Sequence, residues 1–377
     1  MPLDLYFDAN GSTPLHPEVL ALCQRYLEGL YGNPSARHPA GLAARRGIDA
    51  AKASLAASIG AQPEELWFSS GGTESNNWAV FGAAEAGRGR HILLSAVEHK
   101  AVLLPAEALA RRGFEVEQVP VDARGAVSAR DLIQRIRKDT ALVSLMHANN
   151  ETGVIQPVEE VGRACRERGV WFHVDAVCTL GKIPVDVRAL SCDLLTAASH
   201  KVYSPKGCGL MYIRKGVTLP AFVHGCGHQG GMRGGTENAL PIVGLARAME
   251  LYREGRLIDA TALSALRDAL WSGLEAGIPG VQRNGAGALL PNTLNVYFPG
   301  QAGHALQAQL GERGISVATA AGAGAAAPSH VLLAMGCPDE RARASLRFSL
   351  GAKTSEESIR VLVESLVELC ARKVVSA

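Results

Sequence analysis

From Glu65 to Thr196 the chain alternates between short strand-like runs and segments with helical apolar spacing. Glu65–Phe68, His91–Ser95, Glu115–Val119, Ala141–His147, Val170–Val174 and Asp193–Thr196 read as strands. Asn76–Glu85, Lys100–Arg111, Ala129–Arg137 and Val158–Arg168 read as helices. A strand that returns through a helix pairs parallel to its predecessor, so this rhythm predicts an α/β fold with a mostly parallel sheet covered on both faces. Such sheets bind ligands in the loops at the carboxyl ends of their strands. The polar, chemistry-bearing residues of this chain collect in those loops.

Outside that stretch the pattern changes. Residues 1–14 form an extended lead-in, and His16–Leu30 and Ala40–Ile59 are helical, separated by the breaker Gly32-Asn33-Pro34-Ser35. Helical spacing returns at Asn238–Glu254 and Leu257–Glu275. A strand at Thr293–Tyr297 and helices at Ala305–Glu312, Glu340–Ala344 and Glu356–Cys370 then indicate a smaller α+β unit. The expected division is a large domain over 15–255, with 1–14 and 256–377 making the small one.

Composition narrows the function classes. A chain of 377 residues, 47% hydrophobic, can bury a large core. Its 38 basic and 36 acidic residues leave a formal charge of +2, which gives no footprint for nucleic acid. The start, MPLDLYFDANGS, has neither a basic n-region nor an apolar h-region. The least charged long stretch, Gly314–Gly336, carries Ser316, Thr319, Pro328, Ser329 and His330, and reads as a flexible loop rather than a membrane span. Eight scattered cysteines form no C-x-x-C pair, so neither a metal site nor a disulfide framework is expected. The expected compartment is the cytoplasm, with reduced thiols.

Leu194 to Gly209, LLTAASHKVYSPKGCG, places Lys201 behind an apolar strand and ahead of a Gly-Pro loop. One reading is a Schiff-base lysine activated by desolvation; the other is a strand-end lysine whose ammonium reaches water. Ser69–Ser75, with Gly71, Gly72 and Thr73 opening a helix, is either an anion cradle or a plain N-cap. Asp175 ends an apolar strand, where a carboxylate can pair with a protonated pyridine nitrogen or simply cap a helix. His99 stands at another strand-to-helix junction, and His147–Gly153, with Asn150, follows a third strand. Arg347 lies inside the apolar run Ala344–Gly351 and needs an anion: a substrate carboxylate or an internal acid.

Together these motifs resemble the cysteine desulfurases of the class V aminotransferase group. The resemblance runs from YFDANGSTP and GNPSARH through SSGGTESNN, EHKAV, HANNETGV, HVDAV, ASHKVYSPKGCG and RGGTEN to SLRFSLG. It implies the fold type I (aspartate aminotransferase-like) architecture, pyridoxal 5'-phosphate as cofactor, an amino-acid substrate and a homodimer. It further implies that Lys201 carries the cofactor and shuttles the proton at Cα, that Asp175 faces the pyridine nitrogen, and that His99 stacks on the ring. Asn150 would sit near the phenolic oxygen. Gly72, Thr73 and His200 would hold the phosphate, with Thr236 reaching in from the second subunit. Arg347, helped by Asn33, would bind the substrate carboxylate.

Three positions depart from the family pattern. Cys178 replaces the glutamine expected three residues after Asp175. Ala198 replaces a phosphate-binding serine, with Ser199 beside it as a substitute. The segment Val317–His330 contains no cysteine, and Ala323 is the nearest match to the family's nucleophile. Desulfuration needs a thiolate to take the sulfur. The leading expectation is therefore a C–S lyase that acts by β-elimination on cysteine, cystine or an S-substituted cysteine. The rivals are a desulfurase using another thiol, Cys178 before Cys208 or Cys226, and a non-catalytic sulfur-transfer partner.

Overall fold

The computed structural model describes residues 4–319 and 327–372. Its centre is a seven-stranded sheet: β1 (Leu66–Ser69), β2 (His91–Ser95), β3 (Glu115–Val119), β4 (Thr140–Ser144), β5 (Trp171–Asp175), β6 (Leu194–Ala198) and β7 (Gly209–Ile213). The spatial order is β1-β7-β6-β5-β4-β2-β3. β7 runs antiparallel to both of its neighbours, and the remaining pairings are parallel. The two-residue period of a strand sends alternate side chains into different cores. Leu210 and Tyr212 join one apolar cluster, which includes Ile48 and Leu55 of the helix Pro39–Ile59. Met211 and Ile213 join the other, with Trp78 and Val80 of the helix Gly72–Glu85. Burial on both faces explains why the inner strands read as apolar runs rather than alternating ones, whereas the edge strand β3 is polar and partly exposed.

A second, antiparallel sheet is built from β8 (Gln282–Arg283), β9 (Thr293–Tyr297), β10 (Ala318–Thr319) and β11 (Ser345–Ser349), in the order β10-β11-β9-β8. Leu294 and Val296 of β9 and Leu346 and Phe348 of β11 pack against the helices Ala260–Gly277 and Glu356–Arg372. Phe7 from the lead-in belongs to the same core. The alternate residues Thr293, Asn295, Arg347 and Ser349 form the opposite, polar face. That face meets the large sheet: Asn295 donates to Glu151 O (3.2 Å), and Thr293 Oγ1 accepts from Asn10 (2.8 Å).

The lead-in links the two sheets. Ala9 N donates to Ser349 O (3.0 Å) and Ser349 N to Phe7 O (2.8 Å), while Thr13 N donates to His200 O (2.9 Å) beside β6. Among the described residues no helix is long and apolar enough to cross a membrane. The expected loop Gly314–Gly336 contains β10 and a short helix, His330–Ala334. Ala323 lies outside the described residues.

Candidate active site

A cleft of about 610 Å³ opens at the carboxyl ends of β4, β5 and β6, roofed by the polar face of the small sheet. Gly72, Thr73, His99, Asn150, Asp175, Cys178, His200, Lys201 and Arg347 all line it. They come from six places in the chain: the segments at or after the ends of β1, β2, β4, β5 and β6 of the large sheet, and β11 of the small one.

Asp175 is the last residue of β5 and is 5% exposed. Its Oδ2 accepts from Asn76 Nδ2 (2.7 Å) and its Oδ1 from Val177 N (2.9 Å), so the carboxylate is fixed by two donors. Lys201 ends a single 3-10 turn after β6. Its Nζ donates to the carbonyls of Asn10 and of Gly11 (the latter 2.9 Å). Burial pulls its pKa below the ordinary lysine value, with the charges of Cys178, Asp8 and Asp175 pulling back. His99 caps the helix Lys100–Ala110: its Nδ1 accepts from Ala101 N (3.0 Å), and burial lowers its pKa. It therefore presents a neutral ring to the cleft. Burial, reinforced by Lys201, also pushes His200 down to about 4.

Gly72 opens the fourteen-residue helix Gly72–Glu85, whose N-cap residue makes no side-chain cap. Its first-turn N–H groups thus remain available for an anion. A Cβ on residue 72 would lie 2.8 Å from Val177 Cγ2, so glycine is what lets this turn approach the end of β5.

Arg347 crosses from the small sheet. Nη2 pairs with Asp8 Oδ1 (2.6 Å) and Nη1 donates to Asn150 O (3.2 Å), whereas Nε, although buried, has no acceptor among the described residues. Cys178 lines the cleft at 6% exposure, and its carbonyl accepts from the buried Lys182 Nζ (3.1 Å). Cys208 is buried and Cys226 exposed, and neither lines the cleft.

Three expected residues lie elsewhere. Ser199 does not face the cleft: its Oγ donates to Pro205 O, because the 3-10 turn points it back under the following loop. Asn33 and Thr236 line a separate cavity of about 350 Å³ on the same chain. Asn33 Oδ1 there closes a local turn by accepting from Ser35 N (2.9 Å).

The structure also adds residues that motif reading passed over. Asn76, Asp8 and the carbonyls of Asn10 and Gly11 touch the expected site residues directly. Asn76 was visible in principle, since positions 72 and 76 share a helix face. Glu98, adjacent to His99, is wholly buried: Oε1 accepts from Met146 N (2.6 Å) and Oε2 has no partner among the described residues. Burial, with the nearby charge of Asp175, raises its pKa to about 8.

Residues 5–362 match the family model for class-V aminotransferases. The chain belongs to that family. A cysteine desulfurase IscS of Clostridium botulinum is 40% identical over 376 residues, covering 98% of this chain and 95% of the relative. The corresponding protein of Aeromonas hydrophila is 42% identical, covering 95% and 91%. Among solved structures, a NifS-like protein superposes with a TM-score of 0.92 at 39% identity, over 98% of this chain and 100% of that one. Another, described as SspA in complex with cysteine, gives 0.82 at 33% identity, over 93% and 99%.

The cofactor of this class-V member is pyridoxal 5'-phosphate, and the cleft suits it. The uncapped helix start at Gly72 and Thr73 is chemically matched to a phosphate. A doubly held carboxylate, Asp175, is matched to a protonated ring nitrogen. Lys201 supplies a desolvated amine, and His99 a flat neutral ring.

Proposed function

We propose that this chain is a carbon–sulfur lyase that acts on cysteine, cystine or an S-substituted cysteine by β-elimination. The observation that carries the reading is a cleft equipped for chemistry at Cα beside a Val317–His330 segment without any cysteine. Bound pyridoxal phosphate supplies an electron sink that allows a proton to leave Cα. In this reading Gly72, Thr73 and His200 hold the phosphate, Asp175 keeps the ring nitrogen protonated, and Asn150 stands by the phenolic oxygen. Arg347 anchors the substrate carboxylate. Lys201 Nζ removes the Cα proton. The freed electron pair forms a Cα–Cβ double bond, and the C–S bond breaks with its pair on sulfur. The three-carbon enamine that remains takes up water and ends as pyruvate and ammonia. A solved relative described in complex with cysteine supports a cysteine-type substrate.

A second reading has its own observation. Cys178 lines the cleft, so a thiol stands beside the site, and the relatives are named cysteine desulfurases. It would take sulfur as a persulfide and leave alanine. Product analysis with L-cysteine and L-cystine on cofactor-loaded enzyme separates the two. Pyruvate and ammonia in step with released sulfur are expected. Alanine with protein-bound persulfide, lost in Cys178→Ser, would replace the lyase reading. Lys201→Ala is expected to form neither product.

The assembly proposed is a homodimer in which Thr236 completes the partner's phosphate site. Thr236 and Asn33 lie outside their own chain's cleft, beside the exposed Leu27 and Tyr31 (70% and 81%). The division into 15–255 and 1–14 with 256–377 belongs to the same reading and is supported by the two separate cores. A cytoplasmic setting is supported by thiols that form no disulfide among the described residues.

A further inference from the structure

Among the described residues Asp8 is the one acid that pairs with Arg347, and its placement is unusual for a mere counter-ion. Its backbone bridges Ser349, which lies on the same strand face as Arg347, so the main chain holds it beside the guanidinium. The Arg347 side chain is 8% exposed but that of Asp8 is 28% exposed, and Asp8 lines the cleft. Oδ1 is taken by Arg347 Nη2. Oδ2 lies over Gly11, where a Cβ would come within 2.3 Å of it, so the glycine makes room for the carboxylate. Beyond Ala9, residues Asn10 and Gly11 hold Lys201 Nζ through their carbonyls. Asp8 therefore pairs with the guanidinium, and its charge also reaches the amine of Lys201.

A free amino acid carries a carboxylate and an ammonium on one carbon. Arg347 offers a buried donor, Nε, without an acceptor among the described residues, and Asp8 offers a partly open acceptor next to it. One positive and one negative group side by side match that zwitterion, and a charge-assisted hydrogen bond favours each half. We propose that Asp8 reads the ammonium group of the incoming amino acid while Arg347 takes its carboxylate. This rests on the reading of Arg347 as the carboxylate anchor. Asp8 is then a specificity-determining residue: it favours α-amino acids over carboxylic acids that lack the amine.

The test compares L-cysteine with 3-mercaptopropionate, which has the same carboxylate and thiol but no ammonium. KM is measured from L-cysteine consumption, whatever the product, and Ki from inhibition by 3-mercaptopropionate, both on cofactor-loaded enzyme. Asp8→Asn retains the shape and an oxygen for Arg347 but removes the charge. It is expected to raise KM for L-cysteine about tenfold, with Ki for 3-mercaptopropionate unchanged or lower. A parallel rise in KM and Ki would reduce Asp8 to a support for Arg347 and overturn the proposal, as would no change in either. Arg347→Lys with both constants unchanged would overturn the carboxylate anchor itself, a failure that the Asp8 variant alone cannot mimic.

Discussion

Glu98 is a carboxyl group with nowhere to put a charge. One oxygen has Met146 N, the other has no partner among the described residues, and its pKa is raised to about 8, first by burial. The folded state therefore keeps the proton, whereas the unfolded chain loses it near its ordinary value of 4.5. The associated stability is complete below about 4.5 and is lost as pH rises to about 8. Glu98→Gln, which still accepts from Met146 N, is expected to gain in melting temperature relative to the parent between pH 5 and pH 8, by several degrees. A gap that stays constant across that range would mean Glu98 is charged in the fold. His147 and His173 act at the other end. Burial pushes both to about 4, so stability is complete above about 6.5 and falls as pH drops toward 4.

At the scale of elements, the helix that begins at Gly72 is held to a close approach. Its first turn approaches Val177 so closely that one added methyl must displace something. Gly72→Ala is expected to weaken cofactor binding about tenfold, read as loss of the cofactor absorbance on dilution, and Val177→Ala added to it should recover most of the loss. Failure of that rescue would place the fault in the helix start rather than the contact. The sequence pattern foretold several elements to the residue, including β2, β3, β9 and the helix Val158–Arg168, because each is a full apolar period bounded by breakers. It placed the start of this helix at Asn76, four residues late, because Gly72 to Ser75 have the composition of a loop. It passed over β7, a short run hidden behind the Gly-Pro stretch that follows Lys201. It read β11 only as an apolar run with one arginine. The pairing that explains the arginine, Asp8 to Arg347, joins residues 339 positions apart, and no local pattern carries such a contact.

At the scale of the whole molecule, the proposed dimer would use the surface around Thr236. Leu27 and Tyr31 project there at 70% and 81% exposure, beside the cavity that holds Asn33 and Thr236. The double variant Leu27→Glu, Tyr31→Glu is expected to sediment as a monomer and to bind the cofactor more weakly, since its phosphate site would lack Thr236. A monomeric variant with undiminished cofactor affinity would remove Thr236 from the site.

The lead-in has a consequence for the life of the chain on the ribosome. Its residues 7–11 lie on the last strand of the small sheet and also hold the lysine that follows β6. Residues 7–11 therefore cannot complete their pairing until Ser345–Ser349, far along the chain, has been made. Until then Arg347 does not exist, nor do the Ser349 groups that hold Ala9 and Asn10. A large sheet that has already formed has an unfinished cleft, and competence to hold cofactor and substrate arrives only when the lead-in and β11 have both been delivered. Premature termination anywhere before β11 thus yields a chain without a working site, however well its first core has folded.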